Sequence, residues 1–120
     1  MEPDSRINDF LELAELTPED ELVHYGLAQE YMKAGRFEEA VVSLKRVIEL
    51  KPGYAAAYRE MGKALERAGN LEAAKDSFLT GRRLAEQHGD GQTVKEIDVY
   101  LKRIEKKNPD SSTRSDPRGI

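Results

Sequence analysis

The chain matches itself at an offset of 34 residues, and this period constrains its fold more than any other feature. Ala34-Gly35 recurs as Ala68-Gly69, and Glu38, Ala40, Ser43 and Leu50 recur as Glu72, Ala74, Ser77 and Leu84. Phe37 is matched by Leu71, Leu44 by Phe78, and Leu27-Ala28 by Met61-Gly62. A period of this length means that each unit is one supersecondary element. Such a unit cannot bury its apolar face alone and is covered by stacking on its neighbours. The period also runs backwards. Leu16-Thr17-Pro18 stands 34 residues before Leu50-Lys51-Pro52, and Phe10 stands 34 before Leu44. The segment before Thr17 is therefore the second half of an earlier unit.

Within each unit the apolar spacing predicts two helices. From Glu21 to Ala34, the residues Leu27, Ala28 and Tyr31 share one face. Gly35 follows, a residue that adopts the left-handed conformation ending many helices. From Phe37 to Leu50, an apolar stripe runs through Phe37, Ala40, Val41, Leu44, Val47 and Ile48. Pro52 ends that helix, because proline disfavours helical geometry in the residue before it. The second unit repeats this from Tyr58 through Ala68-Gly69, then from Leu71 through Leu84. Thr17 is expected to cap the first complete unit, with Pro18 in the first helical position and Glu19 and Asp20 at the positive end of the helix dipole.

A helix–turn–helix unit of 34 residues with this spacing resembles the tetratricopeptide repeat. The pattern residues of that family fall on Leu27, Ala28, Tyr31, Ala40, Leu44, Val47 and Pro52 in the first complete unit. In the second they fall on Met61, Gly62, Leu65, Ala74, Phe78, Gly81 and Glu86, and the resemblance covers about residues 7–88. His24 stands where the family has a large aromatic, as Tyr58 does in the second unit, and a partly buried structural role is expected for it. Glu86 replaces the closing proline, so that helix should run past Leu84 to a stop near Gly89. Gly62, Ala74 and Gly81 are expected where helices cross closely. Glycine within a helix costs about 0.5–1 kcal/mol relative to alanine, which packing at the crossing has to offset.

After Gly89-Asp90-Gly91 a last amphipathic helix is expected over Gln92–Lys107, with Val94, Ile97, Leu101 and Ile104 as its stripe. It does not keep the 34-residue register. It reads as a cap shielding the end of the array, with Leu101 buried like a core leucine. The fold class expected is all-α, a short TPR-like helical solenoid of six helices: half a repeat, two full repeats and a C-terminal capping helix. The repeat domain spans residues 1–107. Residues 108–120 lack an apolar pattern and are expected to form a disordered tail.

Charge and composition narrow the function. The formal net charge is −4, without the basic excess that neutralises phosphates, so no nucleic-acid partner is expected. Nine acids stand against Arg6 alone in residues 1–30, a net of −8, and the other ninety residues carry +4. These ends are either solvated helix faces or surfaces that meet in head-to-tail self-association. The chain has no cysteine, which excludes disulfides and thiolate chemistry. No apolar run approaches the roughly 20 residues of a membrane helix. The start is acidic with no signal-like segment. A cytoplasmic protein with no membrane partner is expected.

No constellation points to catalysis. His24 and His88 are the only histidines, and neither has a ligand-spaced partner, so no metal or cofactor is expected. Ser43 and Ser77 are equivalent in the two repeats, whereas a catalytic residue is needed once. Gly89-Asp90-Gly91 lacks the lysine and preceding strand of a phosphate loop. Of three classes (adaptor, self-assembly module, enzyme), the enzyme is the least favoured.

The resemblance implies a concave groove, lined by the first helix of each pair, that grips a protein or peptide segment. The family's groove residues map to Leu22, Tyr25, Gln29, Met32 and Lys33, then to Ala56, Arg59, Lys63, Glu66 and Arg67. An aromatic ring and an adaptable thioether, as at Tyr25 and Met32, are common contact groups. Arg59, Lys63 and Arg67 follow i, i+4, i+8, a basic stripe suited to acidic side chains or a terminal carboxylate. Chaperone-tail receptors of the family carry lysine and asparagine where this chain has Tyr25 and Gln29, and asparagine where it has Glu60. Such a receptor is therefore not expected. The leading reading is a peptide or protein adaptor, and the alternative is a homo-oligomerisation module.

Overall fold

The computed structural model describes residues 3–107, so the expected tail at 108–120 lies outside the described residues. Six helices follow one another: α1 (Pro3–Leu16), α2 (Glu21–Lys33), α3 (Phe37–Leu50), α4 (Ala55–Arg67), α5 (Leu71–Gln87) and α6 (Gly91–Lys107). Each packs on its predecessor, and α6 also reaches α4. This is the expected all-α repeat solenoid, with α1 as the half repeat, α2–α3 and α4–α5 as full repeats, and α6 closing the array.

The helix starts correct one expectation. Asp20, not Thr17, caps α2, its carboxylate accepting the Leu22 N–H at 2.9 Å. The Thr17 hydroxyl instead donates back to the Leu13 carbonyl at 2.9 Å, closing the end of α1. Both residues can cap, but Thr17 lies too far upstream of the first helical turn. Asn70 and Asp90 cap α5 and α6 in the same way as Asp20, through the Ala73 and Thr93 amides. The extension of α5 past Leu84 occurs as expected, to Gln87.

Three turns share one construction. The Arg36, Asn70 and Asp90 amides reach back to the carbonyls of Tyr31, Leu65 and Ala85 at 2.9, 2.9 and 2.8 Å. The glycines before them, Gly35, Gly69 and Gly89, hold φ of 76°, 90° and 72°, where a side chain is strained. The α5–α6 turn, between repeats, is thus built like a turn inside a repeat. The register shifts because α5 is three residues longer than α3 and this turn one residue shorter than that between α3 and α4: α2 and α4 begin at Glu21 and Ala55, 34 residues apart, but α4 and α6 begin at Ala55 and Gly91, 36 apart. At that offset α6 aligns as the first helix of a third repeat. Thr93, Ile97, Tyr100 and Ile104 take the places of Ala57, Met61, Ala64 and Ala68. Val94, Asp98, Leu101 and Glu105 take those of Tyr58, Gly62, Leu65 and Gly69.

Two core clusters hold the array. The first joins Ile7, Leu27, Ala28, Tyr31, Ala40, Val41, Leu44, Met61 and Ala64, and the second joins Ala74, Phe78, Ile97 and Ile104. Leu65 packs against both. The Phe78 ring lies on Gly62, where a Cβ would stand 2.6 Å from it. Phe10 covers Gly26 in the same manner. The close crossing expected at Gly62 is present, and glycine is required there by space.

Leu101 is only half-buried, which corrects the expectation for the last helix. The buried residues of α6 are Thr93, Ile97 and Ile104. The reason is the register: Leu101 faces the place where a further second helix would lie. That place is closed by Asp98, which stands where α4 has Gly62. Its carboxylate accepts from Arg82 Nε at 2.6 Å and Nη2 at 3.2 Å. A bidentate charged pair at a position that requires bare backbone blocks the close approach of another helix.

Candidate functional site

The first-type helices α2, α4 and α6 share one face of the array, and its side chains are tied together across them. Glu60 is at the centre, buried on α4. Gln29 of α2 donates to it at 3.2 Å, Arg59 at 3.0 Å through Nε, and Lys63 at 3.2 Å. Arg59 also reaches Glu96 of α6 at 2.8 Å. Arg59, Glu60, Lys63, Glu96 and Tyr100 line a hollow of about 250 Å³ between α4 and α6. Beside it the Tyr25 and Tyr54 rings lie 5.6 Å apart. Burial, and then the Glu60 carboxylate, push the Tyr25 phenol up from its ordinary value.

The remaining groove residues take different places. Leu22 is exposed at the edge of α2, and Met32 is half-buried against the first core. Lys33 is exposed and pairs with the buried Glu30 at 3.2 Å. Ala56 is half-buried. Arg67 lies over the Phe37 ring, 4.8 Å from its centroid. Glu66 has no exposed side-chain surface; Arg103 grips it at 2.9 and 2.6 Å, and Lys107 at 3.0 Å. The basic stripe is therefore not a row of open cations: Arg59 and Lys63 are matched by Glu60 and Glu96, and the open charge is at Arg67. Sequence reasoning missed Glu96 and Tyr100 because α6 could not be placed in register, and it noted Glu60 only as a departure from the chaperone-tail pattern.

The Glu66 pair has a pH consequence. Hydrogen bonds from Arg103, and further from Lys107, hold its carboxyl below the usual carboxylate value against the opposing effect of burial. A depressed folded-state value contributes stability that is present above the unfolded value and lost as pH falls through the folded one. Glu66→Gln should therefore flatten the acid limb of the stability curve below the ordinary carboxylate range. Denaturant midpoints measured across the acid range check this, and an unchanged acid limb contradicts it.

A second, more apolar cleft of about 420 Å³ lies on the outer side, between α1 and α3 above α2. Leu11, Ala14, Leu27, Tyr31 and Val42 line it, with His24 at one side. His24 is half-buried as expected, its Nε2 donating to the Pro18 carbonyl at 2.9 Å. The signal was in the repeat: Lys45, Tyr58 and Asp76 are the counterparts of Leu11, His24 and Val42 at 34 residues.

Among the described residues no group of three or more His, Asp or Glu is placed to hold a metal ion, and no helix is long and apolar enough to cross a membrane. Residues 28–69 match the family profile of the TPR repeat. A TPR repeat-containing protein of Pseudomonas aeruginosa, PA0015, is 36% identical over 85 residues, which cover 71% of this chain and 81% of that protein. PcrH, solved in complex with the chaperone binding region of PopD, superposes with a TM-score of 0.81 at 18% identity, covering 88% of this chain and 80% of that one. The TPR2B domain of yeast Sti1, solved as a pHsp70 complex, gives 0.79 at 21% identity, with 84% and 81% covered. The period of 34, the paired helices stacked about small crossing residues and these matches together place the chain in the tetratricopeptide repeat family.

Proposed function

We propose that this chain is a non-catalytic, cytoplasmic adaptor whose concave face binds an extended segment of another protein. The observation that carries the reading is the continuous row across α2, α4 and α6: the Tyr25–Tyr54 step, the Gln29–Glu60–Arg59–Lys63 network and the hollow under Tyr100. Aromatic faces supply contact area at little entropic cost, and the polar network offers donors and acceptors to a peptide backbone. Because Arg59 and Lys63 are already matched by carboxylates, the row suits a mixed polar and apolar segment better than an acidic one. Support also comes from the likeness to PcrH and the Sti1 domain, each solved with a bound protein segment.

Photo-crosslinking residues test the reading. Placed at Leu22 or Arg67 on the concave side they should capture the partner, whereas at Lys75 on the outer side of α5 they should not. Lys63→Gln should weaken binding of the captured partner by about 1 kcal/mol or more, a loss that marks the minority of interface residues carrying most of the energy. Equal capture from both faces, or unchanged affinity, rejects the groove.

A further inference from the structure

The two end helices turn opposite charges away from the body of the protein. On α1, Ser5, Asp9, Glu12 and Leu16 follow i, i+4, i+7, i+11 and are all exposed. They lie opposite the inward residues Ile7, Phe10 and Ala14. On α6, Lys95, Val99, Lys102 and Lys106 repeat this spacing, also all exposed, opposite Thr93, Ile97 and Ile104. Among the described residues these charges are not consumed by pairing. Asp4 is paired with Arg36, and Arg103 and Lys107 with Glu66, but among the described residues Asp9, Glu12, Lys95, Lys102 and Lys106 form no ion pair. Each stripe also carries uncovered apolar surface, with Leu16 78% exposed and Val99 64% exposed.

We propose that the outward face of α6 in one molecule docks on the outward face of α1 in a second copy. The acidic stripe of Asp9 and Glu12 meets the basic stripe of Lys95, Lys102 and Lys106, and Leu16 is covered together with Val99. Charge complementarity selects this occupant. Two α1 faces would oppose acid to acid and two α6 faces base to base, so symmetric pairing is disfavoured and head-to-tail contact is favoured. The contact is not a regular continuation of the solenoid, because the Asp98–Arg82 pair closes the position a further helix would need. It is heterologous, so association is open-ended unless the rotation closes a ring. Exposed charges dominate it, so it weakens with salt.

Sedimentation velocity of the full chain over a concentration series tests the contact. At low salt the average mass should rise with concentration beyond that of the monomer, and at high salt it should return to monomer. Lys95→Glu/Lys102→Glu/Lys106→Glu makes both ends acidic, and Asp9→Lys/Glu12→Lys makes both ends basic. Each variant alone should stay monomeric with unchanged helical circular dichroism, and an equimolar mixture should associate again. Three results would overturn the proposal: a wild-type chain that stays monomeric at low salt throughout the series, single variants that associate like wild type, or a mixture that stays monomeric. The partner-capture experiment on the concave face reads out separately, so the groove can fail while this contact stands, and the reverse.

Discussion

Phe78→Ala should lower the unfolding free energy by about 3–5 kcal/mol, the cost of removing a large buried aromatic side chain. No other fully buried side chain is larger among the described residues. Its ring covers Gly62 of α4 and stacks on Tyr100 of α6 at 5.2 Å with the planes 6° apart, so one side chain joins three helices. Glycine at 62 leaves no Cβ to refill the space, and the backbone would have to collapse to close it. A domain of this size has only about 5–15 kcal/mol in total, so the loss is a large fraction. Urea unfolding measures it. The amides of α6 should also exchange faster, because Tyr100 loses its stacking partner. A loss under about 1 kcal/mol would mean that the second core is less tightly joined than the packing implies.

Ile97→Ala should cost about 2–5 kcal/mol, and Leu101→Ala distinctly less. Ile97 is fully buried, and its Cδ1 would stand 3.2 Å from a Cβ placed on Gly81. It fills the point where α6 meets α5. Leu101 packs against the same core from its edge and stays half-buried. The comparison tests whether α6 is a cap or a mobile recognition helix. A cap requires the Ile97 loss and slow amide exchange from Val94 to Ile104 in the isolated protein. If α6 were mobile, neither substitution would move the unfolding curve.

The repeat made most of this architecture legible. Phe10, Leu44 and Phe78 recur at one interval because each is the large inward residue of a second-type helix, and Gly35 and Gly69 recur because each ends a first helix. Where the period breaks, the reading breaks with it. α5 is three residues longer than α3 and the turn after it one residue shorter, a net shift of two that takes α6 out of register and leaves Leu101 short of full burial. The pairs of Arg59 with Glu96 and Glu66 with Arg103 were missed for the same reason. Both pairs are separated by 37 residues, one beyond the true offset, and are periodic once that offset is known. Thr17 and Asp20 both satisfy the chemistry of a cap, and only the three-dimensional start of α2 separates them. The period lists which residues share the first-type helices, but not their electrostatics: whether a lysine is open or matched depends on a carboxylate brought from another helix.

Asp98 also bears on how such a protein can change length. A unit appended after α6 meets a charged pair where bare backbone is needed, whereas α3 and α4 are joined across the same four-residue spacing as α1 and α2. A duplication of residues 21–54 would create one new seam, between α3 and the repeated α2 across the same spacing, leaving both terminal helices untouched. Growth in this molecule is expected from the middle, and its last helix would be inherited unaltered by every longer descendant.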